Sequence, residues 1–484
     1  MPFGAVRRRG GLEMTAKEKL AIPPQPMPEQ EPAVRARNME EVALGYTAEM
    51  AKREASRCLN CPTHPCVEGC PVKIRIPEFL AAAAEGDFAR ALAVIRESSL
   101  LPAVCGRVCP QEKQCQKYCT VGKLLKDASK AVAIGRVERY AADNAEHPAA
   151  APSPRRGRKH VAVIGSGPAS ITCAADCARA GHGVTVFEAF HRAGGVLVYG
   201  IPEFRLPKRI VDREIENLKA MGVKIVRDFV VGRTAALPEL ARRFDAVFIG
   251  VGAGLPRFMG VPGEELIGVF SANEYLTRAN LMKAYREGEA ATPFWHGRRV
   301  AVFGGGNVAM DAARTALRLG AENVSVIYRR GAKEMPARAE EVRHAREEGV
   351  VFRTQENAKR IIGDADGKVC AVECLKYELG EPDQSGRRSP VAVPGSEFTL
   401  PADTVIVAVG NGSNPLISAT APELAVDRKG RIVVDEATRM TSMPGVFAGG
   451  DIVLGAATVI MAMGEGRRAA AGIDAYLKSK SGGG

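Results

Sequence analysis

The period of hydrophobic and polar positions changes along the chain. Between residues 35 and 150 apolar side chains recur at helical spacing, most clearly over residues 76–98, a stretch rich in alanine. At Val161 the pattern switches. Val161-Ala162-Val163-Ile164 reads as a buried strand, followed by a glycine turn, a helix and a second strand over 184–188, a βαβ unit. The same grammar returns at Val300-Ala301-Val302-Phe303, with Gly304-Gly305-Gly306, a helix to about Leu319 and a strand over 324–328. A third stretch, 431–476, offers a short strand ending at Phe447, the turn Gly449-Gly450-Asp451 and a long alanine-rich helix, as a half-domain returning to complete the first. Pro23, Pro24, Pro26 and Pro28 predict an extended arm without a helix over residues 1–34, and prolines with a basic run predict a linker over 147–158. The predicted fold class is α/β: a helical domain over 35–150, a discontinuous Rossmann-like domain over 159–295 and 402–484, and a second over 296–401.

Length and composition narrow the chemistry. A chain of 484 residues exceeds one compact core, so several domains are expected. The net charge of +12 suits phosphorylated cofactors or an acidic redox partner. Nucleic acid is not indicated, because aromatic residues are only 5% and no recognised nucleic-acid module is present. The basic first residues lead into no apolar signal core, and no apolar run has membrane length, which predicts a cytoplasmic protein without a membrane partner. Disulfides are uncommon in that compartment. Of twelve cysteines, eight crowd between Cys58 and Cys119, so they read as metal ligands before crosslinks.

Their spacings are Cys58-x2-Cys61-x4-Cys66-x3-Cys70-Pro71 and Cys105-x3-Cys109-x5-Cys115-x3-Cys119. Soft thiolates two to five residues apart reach a common iron–sulfur cluster, whereas zinc ribbons more often show two short pairs separated by a longer stretch. Eight thiols supply two 4Fe–4S clusters, either one per group or interleaved. A Cys-Pro that ends such a run often ligates the other cluster, which favours interleaving through Cys70. The pairs Cys173 with Cys177 and Cys370 with Cys374 are expected to be buried core thiols, and His64 a hydrogen-bonding loop residue.

In Gly165-Ser166-Gly167-Pro168-Ala169-Ser170 the first glycine permits the turn and the second admits a pyrophosphate to the helix amides. Ser170 replaces the usual third Gly or Ala. Glu188 stands where an acid accepts from a ribose diol, which suits FAD or NAD and repels a 2′-phosphate. The second copy, Gly304-x-Gly306-x-x-Ala309, carries Arg329 and Arg330 in place of that acid, which predicts NADPH. Gly450 and Asp451 offer a hydrogen bond to a ribityl hydroxyl, and the helix starting near Ala457-Thr458 aims its positive end at a reduced flavin.

Together these features resemble the small subunit of bacterial NADPH-dependent glutamate synthase, from about residue 38 to the C-terminus. The resemblance is carried by the two cysteine groups, residues 161–188, Gly194-Gly195, the run Tyr199-Gly200-Ile201-Pro202-Glu203-Phe204-Arg205-Leu206-Pro207, residues 304–311, Tyr328-Arg329-Arg330, Glu334-Met335-Pro336-Ala337 and residues 448–458. It extends to the electron-entry half of dihydropyrimidine dehydrogenase and to the large subunit of electron-bifurcating ferredoxin:NADP oxidoreductase. It implies that Cys58, Cys61, Cys66 and Cys119 hold one cluster, and that Cys70, Cys109 and Cys115 hold the other with Glu138 as a fourth ligand, leaving Cys105 unligated. Gly195, Asn307, Val308 and Gly410 join Pro168 and Ala169 among the cofactor-binding candidates. The implied reaction passes a hydride from NADPH to FAD and then single electrons through the clusters, with no catalytic side chain assigned. Glutamate synthesis also needs an amidotransferase and an FMN barrel, which this chain lacks. The implied partner is therefore the glutamate synthase large subunit; a second flavoprotein, with ferredoxin, is the alternative if the chain belongs to a bifurcating transhydrogenase. A non-catalytic relay or assembly module is the remaining reading.

Overall fold

A computed structural model describes residues 14–146, 159–286, 288–383 and 386–481, and the predicted linker lies outside them. It separates into two compact units, one comprising the described residues up to Pro28 with Gly45–Glu146, the other Glu29–Leu44 with the described residues beyond the linker.

The first unit is helical. Thr47 caps Ala48–Ala55 by accepting from the Met50 amide. The periodic stretch 76–98 is two helices, Ile76–Glu85 and Phe88–Ser98, because Gly86 takes a left-handed φ of 85° and Asp87 accepts from the Arg90 amide to start the next helix. Pro102–Val108 crosses Ile134–Asn144 so closely that a Cβ on Gly106 would stand 2.8 Å from the Gly135 carbonyl. The arm is not wholly extended. Thr15 and Glu18 form a capping box, and reciprocal bonding to the first amides stabilises the short helix Ala16–Ala21 ahead of the prolines. A fully buried ion pair, Glu54 with Arg57 at 2.6 Å, fastens the arm: Glu54 accepts from the Gln25 and Ala133 amides, and Arg57 donates to the Ile22 and Lys130 carbonyls.

The second unit holds two five-stranded parallel sheets of the same design. The first runs Val446–Ala448, Ala246–Ile249, His160–Ile164, Gly183–Phe187 and Lys224–Val226. The second runs Val269–Ser271, Thr404–Val407, Arg299–Phe303, Asn323–Tyr328 and Val351–Thr354. The sequence reading placed Val269–Ser271 and Thr404–Val407 in the first nucleotide domain. Their parallel pairing assigns both to the second, so its sheet draws on strands outside 296–401. An antiparallel sheet of Glu356–Gly363, Val369–Pro382, Arg388–Ala392 and Phe398–Pro401 is inserted before the last crossover. Within it a register shift opposite Ile362 and Gly363 leaves Cys370 outside the pairing, and it is exposed, contrary to the core position expected for it; Cys173, Cys177 and Cys374 are buried.

The boundary expected at residue 34 also differs. Glu29–Leu44 forms a strap on the second unit: its ends pair through Gln30 N to Val42 O, Val42 N donates to Phe204 O, and the buried Arg35 ion-pairs with Glu347 and Glu348. Glu29 engages Arg343 at 2.7 Å and His344 at 3.1 Å.

Candidate functional site

The cysteines gather in two interleaved sets. Cys58, Cys61, Cys66 and Cys119 line one cavity, walled by Ile76, Leu80 and Ile134, and the Cys61 thiol donates to Thr120 Oγ1 at 3.1 Å. Burial, together with the neighbouring Cys58 and Cys119, pushes the Cys66 thiol up to about 12. In the second set, burial pushes Cys70 up to about 11, with Glu138 and Cys109 as its neighbours, and burial likewise raises Cys115 beside Cys109, Cys70 and Glu138. Cys105 is fully buried here, hydrogen-bonded to Cys109. His64 sits exposed at the rim of the first cavity with a left-handed φ of 42°.

The donor chemistry fits iron–sulfur ligation. Thiols that crowd in low dielectric resist ionisation unless a metal offsets their charge. Glu138 makes the same point: Oε1 is buried without a hydrogen-bond partner, and burial pushes the carboxyl up to about 8. A buried acid among thiols, with one oxygen lacking a donor, has the chemistry a metal site calls for.

At the first glycine turn, Gly165 has a φ of 88° and a Cβ there would meet the Gly250 carbonyl at 2.8 Å. Gly167 begins Pro168–Arg179 and faces nearly open space, as a pyrophosphate cradle requires. Ala169 packs tightly against the last helix, its carbonyl 2.1 Å from a Cβ built on Gly466, while the Ser170 hydroxyl donates to the Gly250 carbonyl at 3.1 Å, so the serine stitches helix to strand end where a smaller residue is usual. Glu188 is buried, accepting from the Ser166 hydroxyl and, at 2.8 Å, from the Phe190 amide. Ser166 also accepts from the Gly194 amide, so one hydroxyl ties the ribose acid to the Gly194-Gly195 loop. That loop lies on the turn: a Cβ on Gly195 would be 2.7 Å from the Gly167 Cα.

Gly450 has a φ of 80° and leads into Asp451, whose carboxyl burial pushes up to about 6, partly offset by the Ala457 amide. Tyr199 is pushed up to about 12 by burial and by the nearby Asp451 and Glu188. Thr458 caps Val459–Ser481, accepting from the Met461 amide. The sequence reading missed the side-chain role of Ser166. Ser166 occupies the variable position between two glycines, where residue type carries no signal.

The second turn repeats the first. Gly304 has a φ of 146° and a Cβ there would meet the Ala408 carbonyl at 2.4 Å, whereas Gly306 has nothing within 4 Å of its Cβ position. Asn307 Oδ1 accepts from the Arg338 amide, Val308 is exposed, and Gly410, with a φ of 108°, faces open space. The two arginines diverge. Arg330 is buried and ion-paired with Asp383 at 2.7 Å, whereas Arg329 is exposed and makes no ion pair among the described residues. Arg205 joins this half to the flavin half, pairing with Asp311 at 2.7 Å and Glu341 at 2.9 Å. Lys208, buried at the start of the helix Lys208–Ala220, donates to the Ile201 and Leu206 carbonyls, and burial lowers it to about 8.

Two parallel dinucleotide folds, in one chain with a domain of clustered thiols, define a pyridine-nucleotide flavin oxidoreductase with an iron–sulfur module. Residues 159–466 match the pyridine nucleotide-disulphide oxidoreductase family, and residues 35–149 match the family described as dihydropyrimidine dehydrogenase domain II, 4Fe-4S cluster. The glutamate synthase [NADPH] small chain of Azospirillum brasilense is 40% identical over 469 residues, covering 94% of this chain and 95% of that one. The chain belongs to the glutamate synthase small-chain family and is an NADPH-dependent oxidoreductase using FAD and 4Fe–4S chemistry. The NADP(+)-dependent formate dehydrogenase subunit beta of Moorella thermoacetica is 41% identical, covering 86% of this chain and 60% of that one. Among solved structures, Mycobacterium tuberculosis FprA in complex with NADPH aligns with a TM-score of 0.57 at 21% identity over 67% of this chain and 86% of that one, a likeness of fold.

Proposed function

We propose that this chain is the electron-entry subunit of a glutamate synthase, oxidising NADPH and delivering electrons to a larger partner that carries the FMN and amidotransferase sites. The observation that carries the reading is the combination, in one chain, of the two glycine cradles with the interleaved thiols, at 40% identity to a glutamate synthase small chain. When bound, FAD takes a hydride from NADPH and iron–sulfur clusters carry its electrons singly.

The chain's own residues bind and align. Gly165, Gly167, Pro168, Ala169 and Gly195 would hold the FAD pyrophosphate, Glu188 would accept from the adenosine ribose, and Gly450, Asp451, Ala457 and Thr458 would hold the ribityl–flavin end. Gly304, Gly306, Asn307, Val308 and Gly410 line the NADPH site. Arg329 would meet the 2′-phosphate, while Arg330 is held away from it by its ion pair with Asp383. Two 4Fe–4S clusters are held, one by Cys58, Cys61, Cys66 and Cys119 and the other by Cys70, Cys109, Cys115 and Glu138. This assignment is supported by the interleaved packing and the orphaned Glu138 oxygen. Cys105 stays a hydrogen-bonded thiol.

A second reading is favoured by the 41% identity to a formate dehydrogenase subunit: the same module serving a different redox partner. Anaerobic affinity purification from native cells, with mass spectrometry of co-eluting chains and analysis of iron, sulfide and flavin, separates the two. A partner with amidotransferase and FMN-barrel sequences supports glutamate synthesis. A dehydrogenase or a second flavoprotein replaces it with the second reading.

A further inference from the structure

The surface beside the cysteines has a composition that neither nucleotide site explains. Tyr118 lies between Cys115 and Cys119, and its ring rests on Gly69, between Cys66 and Cys70; a Cβ on Gly69 would stand 2.4 Å from Tyr118 Cδ2. The ring therefore covers the stretch of chain joining the two thiol sets, yet it is 39% exposed. Two ammonium groups converge on it, Lys117 Nζ at 5.8 Å and Lys123 Nζ at 5.9 Å from the ring centroid. Leu124, one position on, is 57% exposed, and Lys126 is exposed in a left-handed turn with a φ of 52°.

No acid occurs from Lys117 to Lys126, and these three lysines make no ion pair among the described residues. Neighbouring acids are engaged elsewhere: Glu68 with Lys73 at 2.6 Å, and Asp127 with the Ser129 hydroxyl and amide and with Lys130 at 3.7 Å. Like charges sharing one aromatic ring repel, and water with salt only partly screens them over a Debye length of about 8 Å. An apolar centre with an unpaired charged rim is the anatomy of a docking site. Redox encounters in particular bury little area and rely on charge for rate and orientation. Three of the thiols in the first set, Cys58, Cys61 and Cys66, are only half-buried, as is Cys115, so the ligand groups approach solvent in this unit.

We propose that Lys117, Tyr118, Lys123, Leu124 and Lys126 form the docking surface for an acidic redox partner protein, which draws electrons from the thiol-held centres beneath. The proposal rests on the reading that those cysteines hold clusters. Each encounter oxidises the chain by one electron and reduces the partner by one. NADPH supplies two electrons and leaves as NADP+ with release of one proton, so two encounters complete a turnover.

The test uses the holoenzyme, acidic cytochrome b5 and basic cytochrome c as one-electron probes, and the charge-reversed variant K117E/K123E/K126E. Wild-type enzyme should reduce cytochrome b5 faster at low salt than at high salt. In the variant that rate should fall by about tenfold or more, its salt dependence should invert and the cytochrome c rate should rise, with iron, sulfide, flavin content and the rate of flavin reduction by NADPH unchanged. Carbodiimide cross-linking to cytochrome b5, mapped by mass spectrometry, should join Lys117, Lys123 or Lys126 to the probe. Unchanged acceptor preference, or cross-links confined to other lysines, overturns the docking surface. Cross-linking is independent of cluster loading, so an iron-free preparation would remove the cluster reading while the cross-link map still decides the surface.

Discussion

Arg205 and Asp311 lie 2.7 Å apart, both almost fully buried, although one lies just beyond the Gly194-Gly195 loop and the other in the helix of the second glycine turn. Arg205 reaches Glu341 as well, and the buried Arg314 joins Glu341 to Glu348, so a continuous ion network connects the flavin and NADPH halves. Burial pushes the Asp311 carboxyl up to about 6 even with Arg205 beside it. Removing the cation strands the buried Asp311 carboxylate and takes one of two arginine partners from Glu341. R205A is expected to cost about 3–5 kcal/mol, read as a fall in the urea midpoint, and D311A should recover part of it in the double mutant because one stranded charge is gone. Additive losses in the double-mutant cycle would mean the two residues are not coupled.

The divergence of Arg329 and Arg330 predicts divergent kinetics. R329A should raise the Michaelis constant for NADPH by about tenfold or more and leave NADH nearly unaffected, since only the exposed guanidinium is available to a phosphate. R330A should lower stability modestly by unpairing Asp383 and shift both nucleotides alike. Steady-state constants with an artificial acceptor, measured for both nucleotides, distinguish these outcomes; equal effects of R329A on NADPH and NADH would remove its phosphate role.

Gly304 and Gly306 are separated by one residue but should fail differently. G304A forces a Cβ into the Ala408 carbonyl at a φ of 146°, so it should lower the melting temperature. G306A meets no protein atom and should fold as the parent does, losing NADPH affinity alone because the methyl occupies the pyrophosphate approach. Thermal unfolding paired with nucleotide titration reads both.

Asp451 gives a pH dependence with a definite sign. Its carboxyl, at about 6 in the folded chain against an ordinary 3.8 in water, binds a proton more readily folded than unfolded. Its ionised form therefore costs stability in full above pH 6, and the cost fades as pH falls from about 6 to 3.8. FAD-depleted D451N should melt higher than the parent at pH 8, and that advantage should vanish near pH 4. A hydrogen bond from a ribityl hydroxyl favours the carboxylate, so FAD affinity of the parent should weaken below pH 6 while that of D451N stays flat; fluorescence titration of the apoprotein across this range is the check.

The strands at Val161 and Val300 were legible to within a residue, because both are short apolar runs closed by glycine turns whose positive φ leaves a mark in residue type. The break at Gly86-Asp87 carried a comparable signal, a helix-ending glycine followed by a capping acid, that the alanine-rich periodicity obscured. Less was available for Val269–Ser271 and Thr404–Val407. They are joined by parallel pairing to partners far along the chain, and such pairing leaves no local pattern. The antiparallel sheet between 356 and 401 alternates only weakly in burial, so period-two reading had little to hold. At the candidate site, glycines and acids announced themselves by type and spacing. The Ser166 hydroxyl, the split fates of Arg329 and Arg330 and the loss of Cys370 from the core depend on partners and register that only the fold supplies.

The strap Glu29–Leu44 imposes an order on biogenesis. Arg35 emerges from the ribosome among the first residues, but its partner Glu348 is made 313 residues later. At about 5–20 residues per second the segment waits roughly 15–60 s before its binding surface exists. During that interval an arginine destined for full burial is held in water, while the helical unit that flanks it in sequence is already complete by Glu146. Synthesis therefore delivers a folded N-terminal unit with a solvated loop, and closing that loop is a late event that reports completion of the NADPH half.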